Sequence, residues 1–308
     1  MTTQDPITLP PAQPGTTPKH LATIQQALDW LTTEHAVLLA AVNHAAVTGA
    51  NLHTWHLAWS LGPYLNLRGH WHDRVAIGLA AVAAAEQLAD PTIQVKTHRA
   101  LATAYIALGR DAKARNHLGH SLEYADRAGD VIGQAHAHHT LGLLDERRGR
   151  HAEALHHTRH ALDLFTHAGH QPGIAQALNS VGWLHAQLGN HQEALTHCQQ
   201  ALHLLREHGH RAAEATTWDT LGYIHHHLGQ HTQAIACYQH ALALYQDLGG
   251  QYYQAETLTH LGDTHNATGN PAAAHDAWQQ ALTILDSIQH PDADKTRTKI
   301  EQLHEPGP

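Results

Sequence analysis

Between residues 211 and 250, small and apolar side chains return every three or four positions. Trp218, Leu221, Gly222 and His225 fall at i, i+3, i+4 and i+7, which sets them on one face of a helix. Gly229 ends that run, at the place where a left-handed residue closes a helix cheaply. A second run then carries Ala234, Tyr238, Ala241 and Leu242 in helical register, and Gly249 ends it. The pattern predicts two helices and two Gly-terminated turns in 40 residues.

The same pattern recurs at an offset of 40. Gly142, Gly182, Gly222 and Gly262 align without a gap, as do Gly149, Gly189, Gly229 and Gly269, and Ala161, Ala201, Ala241 and Ala281. Two weaker copies keep the frame, one with Leu101 and Gly109 and one with Leu61-Gly62 and Gly69. In these, Ala102 replaces the first-helix Gly, and Arg74 and Gly78 stand where a small and a bulky residue are expected. Short side chains at fixed positions let two helices approach closely. One hairpin cannot bury its apolar face alone, so neighbouring hairpins must stack.

These residues resemble the tetratricopeptide repeat. The matching features are Trp218, Leu221 and Gly222 in the first helix and Ala234, Tyr238 and Ala241 in the second. The usual repeat is about 34 residues, whereas this one has 40. The resemblance implies an all-α fold, a right-handed superhelical solenoid of about six such hairpins with terminal capping helices. Residues 1–20, rich in Pro, Thr and Gln, are expected to be a flexible lead, and 21–50 an N-terminal helix carrying Leu28, Trp30, Leu31, Leu38 and Leu39. Six hairpins would occupy 51–290. Residues 291–308 would supply a capping helix and tail, since a terminal unit needs a polar outer face.

A narrower resemblance lies in "ALDWLTTEHAVLLAAVNHAAVTG" (27–49), "RGHW" (68–71), "TWDTLGYIHHHLG" (217–229) and "HPDAD" (290–294). These phrases look like the C-terminal tetratricopeptide region of actinobacterial transcriptional regulators of the AfsR/SARP type. In such regulators that region follows DNA-binding and nucleotide-switch domains, and this chain carries neither a phosphate loop nor a basic recognition helix. The resemblance implies a signal-sensing interaction module. Its ligand would be a protein or peptide, or the regulator's own upstream domain.

Carried over by repeat frame, the concave groove of such an array would include Trp59, Lys96, Arg99, His136, His139 and Arg147. It would continue through Gln176, Asn179, Trp183, Asp219, Tyr223, His226, His227, Glu256 and Asp263. Basic groups gather toward one end of this list and acidic groups toward the other, an arrangement able to orient an extended charged ligand.

Composition narrows the alternatives. Hydrophobic residues make up 42% of the chain but aromatics only 5%, which suits close helix–helix contact. A formal charge of −9, with 18 Lys and Arg against 27 Asp and Glu, argues against direct nucleic-acid binding. No signal peptide or apolar membrane-length run is seen, and Cys198 and Cys237 have no CxxC spacing, so a reducing cytoplasm is expected. No nucleophile elbow, HExxH or dinucleotide fingerprint is present, so neither an enzyme nor a cofactor is expected.

The chain holds 35 His. The run His225-His226-His227 cannot gather on one ion, because consecutive helical residues point about 100° apart. His225 falls in the packing column with His185 and His265, and His226 and His227 fall on the groove side. No metal site is expected. Two other readings are a free-standing adaptor or oligomerisation scaffold and a metal- or proton-responsive sensor built on the His. Loss of stability below about pH 6 is expected from packing-column His such as His185 and His225.

Overall fold

The computed structural model describes residues 19–304 apart from residue 289, together with residues 7, 11 and 15–17. Among the described residues every regular element is a helix. Two helices, α1 (Ile24–Thr33) and α2 (His35–Val47), precede six hairpins. The hairpins are α3 (Asn51–Arg68) with α4 (Trp71–Leu88), α5 (Pro91–Ala107) with α6 (Asp111–Ala128), and α7 (Val131–Glu146) with α8 (His151–His167). They continue as α9 (Gln171–Gln187) with α10 (His191–Glu207), α11 (Arg211–His227) with α12 (His231–Leu248), and α13 (Gln251–Ala267) with α14 (Pro271–Ser287). A last helix, α15, runs Asp292–His304. The chain forms two compact units, one through Gly173 and the other from Ile174.

The turns follow from the glycines. At the end of α11, Gly229 has φ +71°, its N–H donates to the His226 carbonyl, and the Gln230 N–H reaches back to the His225 carbonyl, both at 2.9 Å. This doubly bonded stop satisfies two carbonyls left open at the helix end. Ala89 is the exception, a non-Gly residue at φ +52°. It is followed by Asp90, which caps α5 through Thr92 N–H at 2.8 Å, and by Pro91 in the first turn.

In the four hairpins from α7 to α14 the same close contact recurs between the two helices. A Cβ added to Gly182 would lie 2.4 Å from Cys198 Sγ, at Gly222 2.5 Å from the Tyr238 ring, and at Gly262 2.4 Å from the Trp278 ring. In every case the partner lies 16 residues ahead, so the glycines have equivalent surroundings. The Ala column 154, 194, 234 and 274 is fully buried, as is 161, 201, 241 and 281. Phe165, Leu205, Tyr245 and Leu285 occupy one repeat position near the end of each second helix and are also buried. Each stabilises its hairpin by about 1.5–3 kcal/mol.

Asp145 and His185, two polar residues of the packing column, have partners. Asp145, 3% exposed, accepts from Arg115 at 2.6 Å and from Arg150. Burial opposes its charge, but those hydrogen bonds and cations prevail and hold the carboxyl below its usual value. His185 is buried and stacks on His197, with ring centroids 5.6 Å apart.

The N-terminal segment differs from the single helix expected over 21–50. It breaks between α1 and α2 at Glu34, whose N–H still bonds the Trp30 carbonyl. His35, just past the break, bonds Asp73 through Nε2 at 3.0 Å and lies edge-on to Tyr64. This contact with the first hairpin lies beside the break, which no Gly or Pro marks in the sequence.

Candidate peptide-binding surface

In the unit from Ile174, the first helices of three successive hairpins present matching positions. Gln176, Asn179 and Trp183 come from α9, Asp219, Tyr223, His226 and His227 from α11, and Glu256 and Asp263 from α13. Trp183 and Tyr223, both half-buried, meet with centroids 4.8 Å apart and planes tilted by 58°. Tyr223 also touches His227 at 4.3 Å, and His227 stacks on His191 at 5.6 Å with planes 7° apart. The result is a ladder of aromatic rings crossing α9, α10 and α11.

The His triplet divides as its frame requires. His225 Nδ1 bonds Gln230 Oε1 at 2.6 Å, beside the turn. His226 Nδ1 bonds Thr264 Oγ1 of α13 at 2.9 Å, and His227 faces Tyr223. The three rings go to three different neighbours. Burial, then the neighbouring imidazoles, holds both His226 and His227 below the ordinary value. Both are therefore neutral at pH 7; Nδ1 of His226 is taken up by Thr264, which leaves its Nε2, while His227 carries one donor and one acceptor.

Charge collects on the next helix. Asp219 Oδ1 lies 3.3 Å from His260 Nδ1. Burial works against the charged form of His260, but Asp219, with Glu256 and Asp263, outweighs it and pushes the imidazole up to about 9. Asp263 accepts from Trp278 Nε1 at 3.2 Å and from Lys299 Nζ at 2.5 Å. Glu256 is exposed. His260, Trp278 and Lys299 were not among the residues expected from sequence. One signal for His260 was present: its column otherwise holds the small residues Ser60, Ala100, Thr140, Ser180 and Thr220.

In the unit through Gly173, the expected residues fare differently. Trp59, His136 and His139 are 6%, 7% and 4% exposed, so they belong to the wall and do not present a surface. His136 lies edge-on to Phe165 at 4.8 Å. Lys96 and Arg99 are half-buried, with Lys96 Nζ 5.7 Å over the Trp59 ring, and Arg147 is exposed just after α7. One group among the described residues has metal-ligand spacing: His35, His70 and Asp73, with donor atoms within 4.8 Å of one another. None of the three was expected as a ligand. No helix among the described residues is long and apolar enough to cross a membrane.

The tetratricopeptide repeat family profile matches residues 92–166, 133–207 and 213–287. The chain belongs to the tetratricopeptide repeat family. Comparison with curated protein sequences gave no match. Among solved structures, the fold is similar to a Rap protein complexed with Competence and Sporulation Factor, at TM-score 0.63 and 13% identity, over 91% of this chain and 83% of that one. It is also similar to a signal-transduction ATPase with a tetratricopeptide repeat sensor from Pyrococcus horikoshii. There the TM-score is 0.58 and the identity 15%, over 92% of this chain and 44% of that one. A third is BtubC from P. vanneervenii, at TM-score 0.55 and 22% identity, over 77% of this chain and 94% of that one. These likenesses concern the fold.

Proposed function

We propose that this tetratricopeptide repeat protein is a non-enzymatic interaction module that grips an extended peptide or protein segment on the first-helix face of the unit from Ile174. The observation that carries this reading is the ring ladder of Trp183, Tyr223 and His227 beside the acids Asp219, Glu256 and Asp263. Half-buried aromatic rings offer large contact area at little entropic cost. The free ring nitrogens of His226 and His227 can pair with peptide groups, and the exposed Glu256 can meet a basic residue in the ligand, while Asp219 and Asp263 are held by His260 and Lys299. A Rap protein of the same fold was solved with Competence and Sporulation Factor bound, which is consistent with a ligand-holding role.

The finer reading is a sensor module of an AfsR/SARP-type regulator. It is supported by the local phrases in 27–49 and 217–229 and by the sensor role named for the Pyrococcus horikoshii ATPase. In that setting ligand occupancy would act on a neighbouring nucleotide switch.

The test is capture of partners from the native cell extract with the wild-type protein and with a Trp183→Ala/Tyr223→Ala variant. A partner bound on this face should be lost from the variant, with affinity reduced about 30-fold or more, as for truncated aromatic hot spots. Recovery of an identical set of partners at equal yield would remove this face from consideration.

A further inference from the structure

The turn that opens α4 departs from the rest of the array. His70 immediately precedes the helix and Asp73 lies in its first turn. The five later copies have Arg, Asn or Gln at the position of His70, so none of them sets two ligating side chains three residues apart there. A third group comes from outside the repeats. His35, the first residue of α2, faces this turn and reaches Asp73.

His35 Nε2 lies 3.0 Å from Asp73 Oδ2, and the His35 and His70 ring centroids are 4.6 Å apart. One donor atom from each of the three residues falls within 4.8 Å of the other two. Two ligands on a tetrahedral ion, each at about 2.0–2.1 Å, stand about 3.3 Å from one another. The His35–Asp73 edge already has nearly that length, and His70 needs an inward swing of about 1.5 Å at most. Its ring is free to make it, because it does not cap α4 and no hydrogen bond among the described residues holds it. Tyr64, itself buried, flanks both imidazoles at 5.8 and 6.1 Å. The side chains of His35 and Asp73 are 23% and 38% exposed, so an ion and its water have a way in. Arg68 opposes a cation near His70, but the influence of Asp73 there is the larger.

We propose that His35, His70 and Asp73 bind a divalent transition-metal ion of the zinc class, with water completing its shell. Two imidazoles and one carboxylate suit zinc, whereas magnesium and calcium take shells of oxygen. The ion joins the start of α2 to the first turn of α4 and so clamps the N-terminal helix onto the first hairpin. This site lies in the unit through Gly173 and is independent of the peptide-binding reading, which rests on the unit from Ile174.

The experiment uses the full-length protein without an affinity tag, stripped of metal with EDTA. It is titrated with zinc chloride and, separately, with cobalt(II) chloride, and magnesium chloride is the control. Melting temperature reports on zinc. Visible absorption reports on cobalt, since a four-coordinate site absorbs far more strongly than six-coordinate cobalt held loosely on surface imidazoles. One equivalent of zinc should raise the melting temperature, EDTA should reverse the rise, and magnesium should not reproduce it. The four-coordinate cobalt absorption should saturate near one equivalent. His70→Gln should keep the metal-free melting temperature and bind cobalt at least about tenfold more weakly, since losing even an outer-shell partner costs about 10–100-fold. Asp73→Asn should weaken binding likewise. His156→Gln/His160→Gln, which removes an exposed pair one turn apart on α8, should bind as the wild type does. The proposal is overturned if the wild type gains neither zinc stabilisation nor four-coordinate absorption. It is equally overturned if His70→Gln and Asp73→Asn both keep wild-type affinity, which would assign the ion to other imidazoles. Equal stabilisation by magnesium would overturn the choice of metal.

Discussion

His98, His138 and His139 set an acid limit on the unit through Gly173. Burial, first of all, pulls each down to about 4, aided by His117 and His120 at His98, His160 and His157 at His138, and Arg99 at His139. Their unfolded value is near 6.5. A base whose folded pKa is depressed takes up more protons when unfolded, so its contribution is intact above pH 6.5 and is lost as pH falls from 6.5 to about 4. For His139 alone this is on the order of 3 kcal/mol. We expect the melting temperature to fall through that window and His139→Gln to flatten the slope; an unchanged melting temperature from pH 7 to pH 4.5 would refute it. His260 has the opposite sign: its contribution is complete below 6.5 and is lost as pH rises through about 9. Reading the sequence pointed to His185 and His225 for acid sensitivity. The pairs that matter, His98 with His117 and His138 with His157, join Nδ1 atoms 3.0 and 3.2 Å apart across 19 residues, and only assembled hairpins reveal them.

For a helix pair, the Gly column is the register. Gly182→Ala would place a methyl 2.4 Å from Cys198 Sγ and 3.0 Å from the Ala194 carbonyl oxygen. Overpacking of this kind costs about 1–3 kcal/mol. Chemical denaturation should show that loss, with partial recovery in Gly182→Ala/Cys198→Ala, since the backbone clash remains. A double variant no more stable than the single one would mean that Sγ is not the limiting contact. This level of structure was legible beforehand, because helix ends and close contacts are written in Gly and Ala at fixed spacing. The break at Glu34 was not, because it lacks a Gly or Pro and sits beside the His35–Asp73 contact. Nor was groove depth: Trp59, His136 and His139 hold the right frame positions, but neighbouring side chains such as Phe165 decide whether such a residue meets solvent.

At the scale of the molecule, a stacked array must cover its last apolar face. Ala293 and Ile300 of α15 pack with Leu258, Leu282, Leu285 and Ile288, and Lys299 crosses to Asp263. Ending the chain at residue 290 should cost about 3 kcal/mol or more from the exposed apolar area. Calorimetry should register a lower melting temperature, and light scattering increased self-association. Lys299→Ala removes a partly exposed ion pair and should cost no more than about 1 kcal/mol. If the two variants melt alike, the capping role assigned to the apolar side of α15 is wrong.

From Gly142 to Gly262 the spacing carries no insertion or deletion, and each glycine is answered by the side chain 16 positions later. Both members of each fitted pair lie inside the same 40-residue period. Duplication or excision of a whole period therefore transmits the fit intact, and a lineage could alter the reach of its array by recombination without having to redesign the interior.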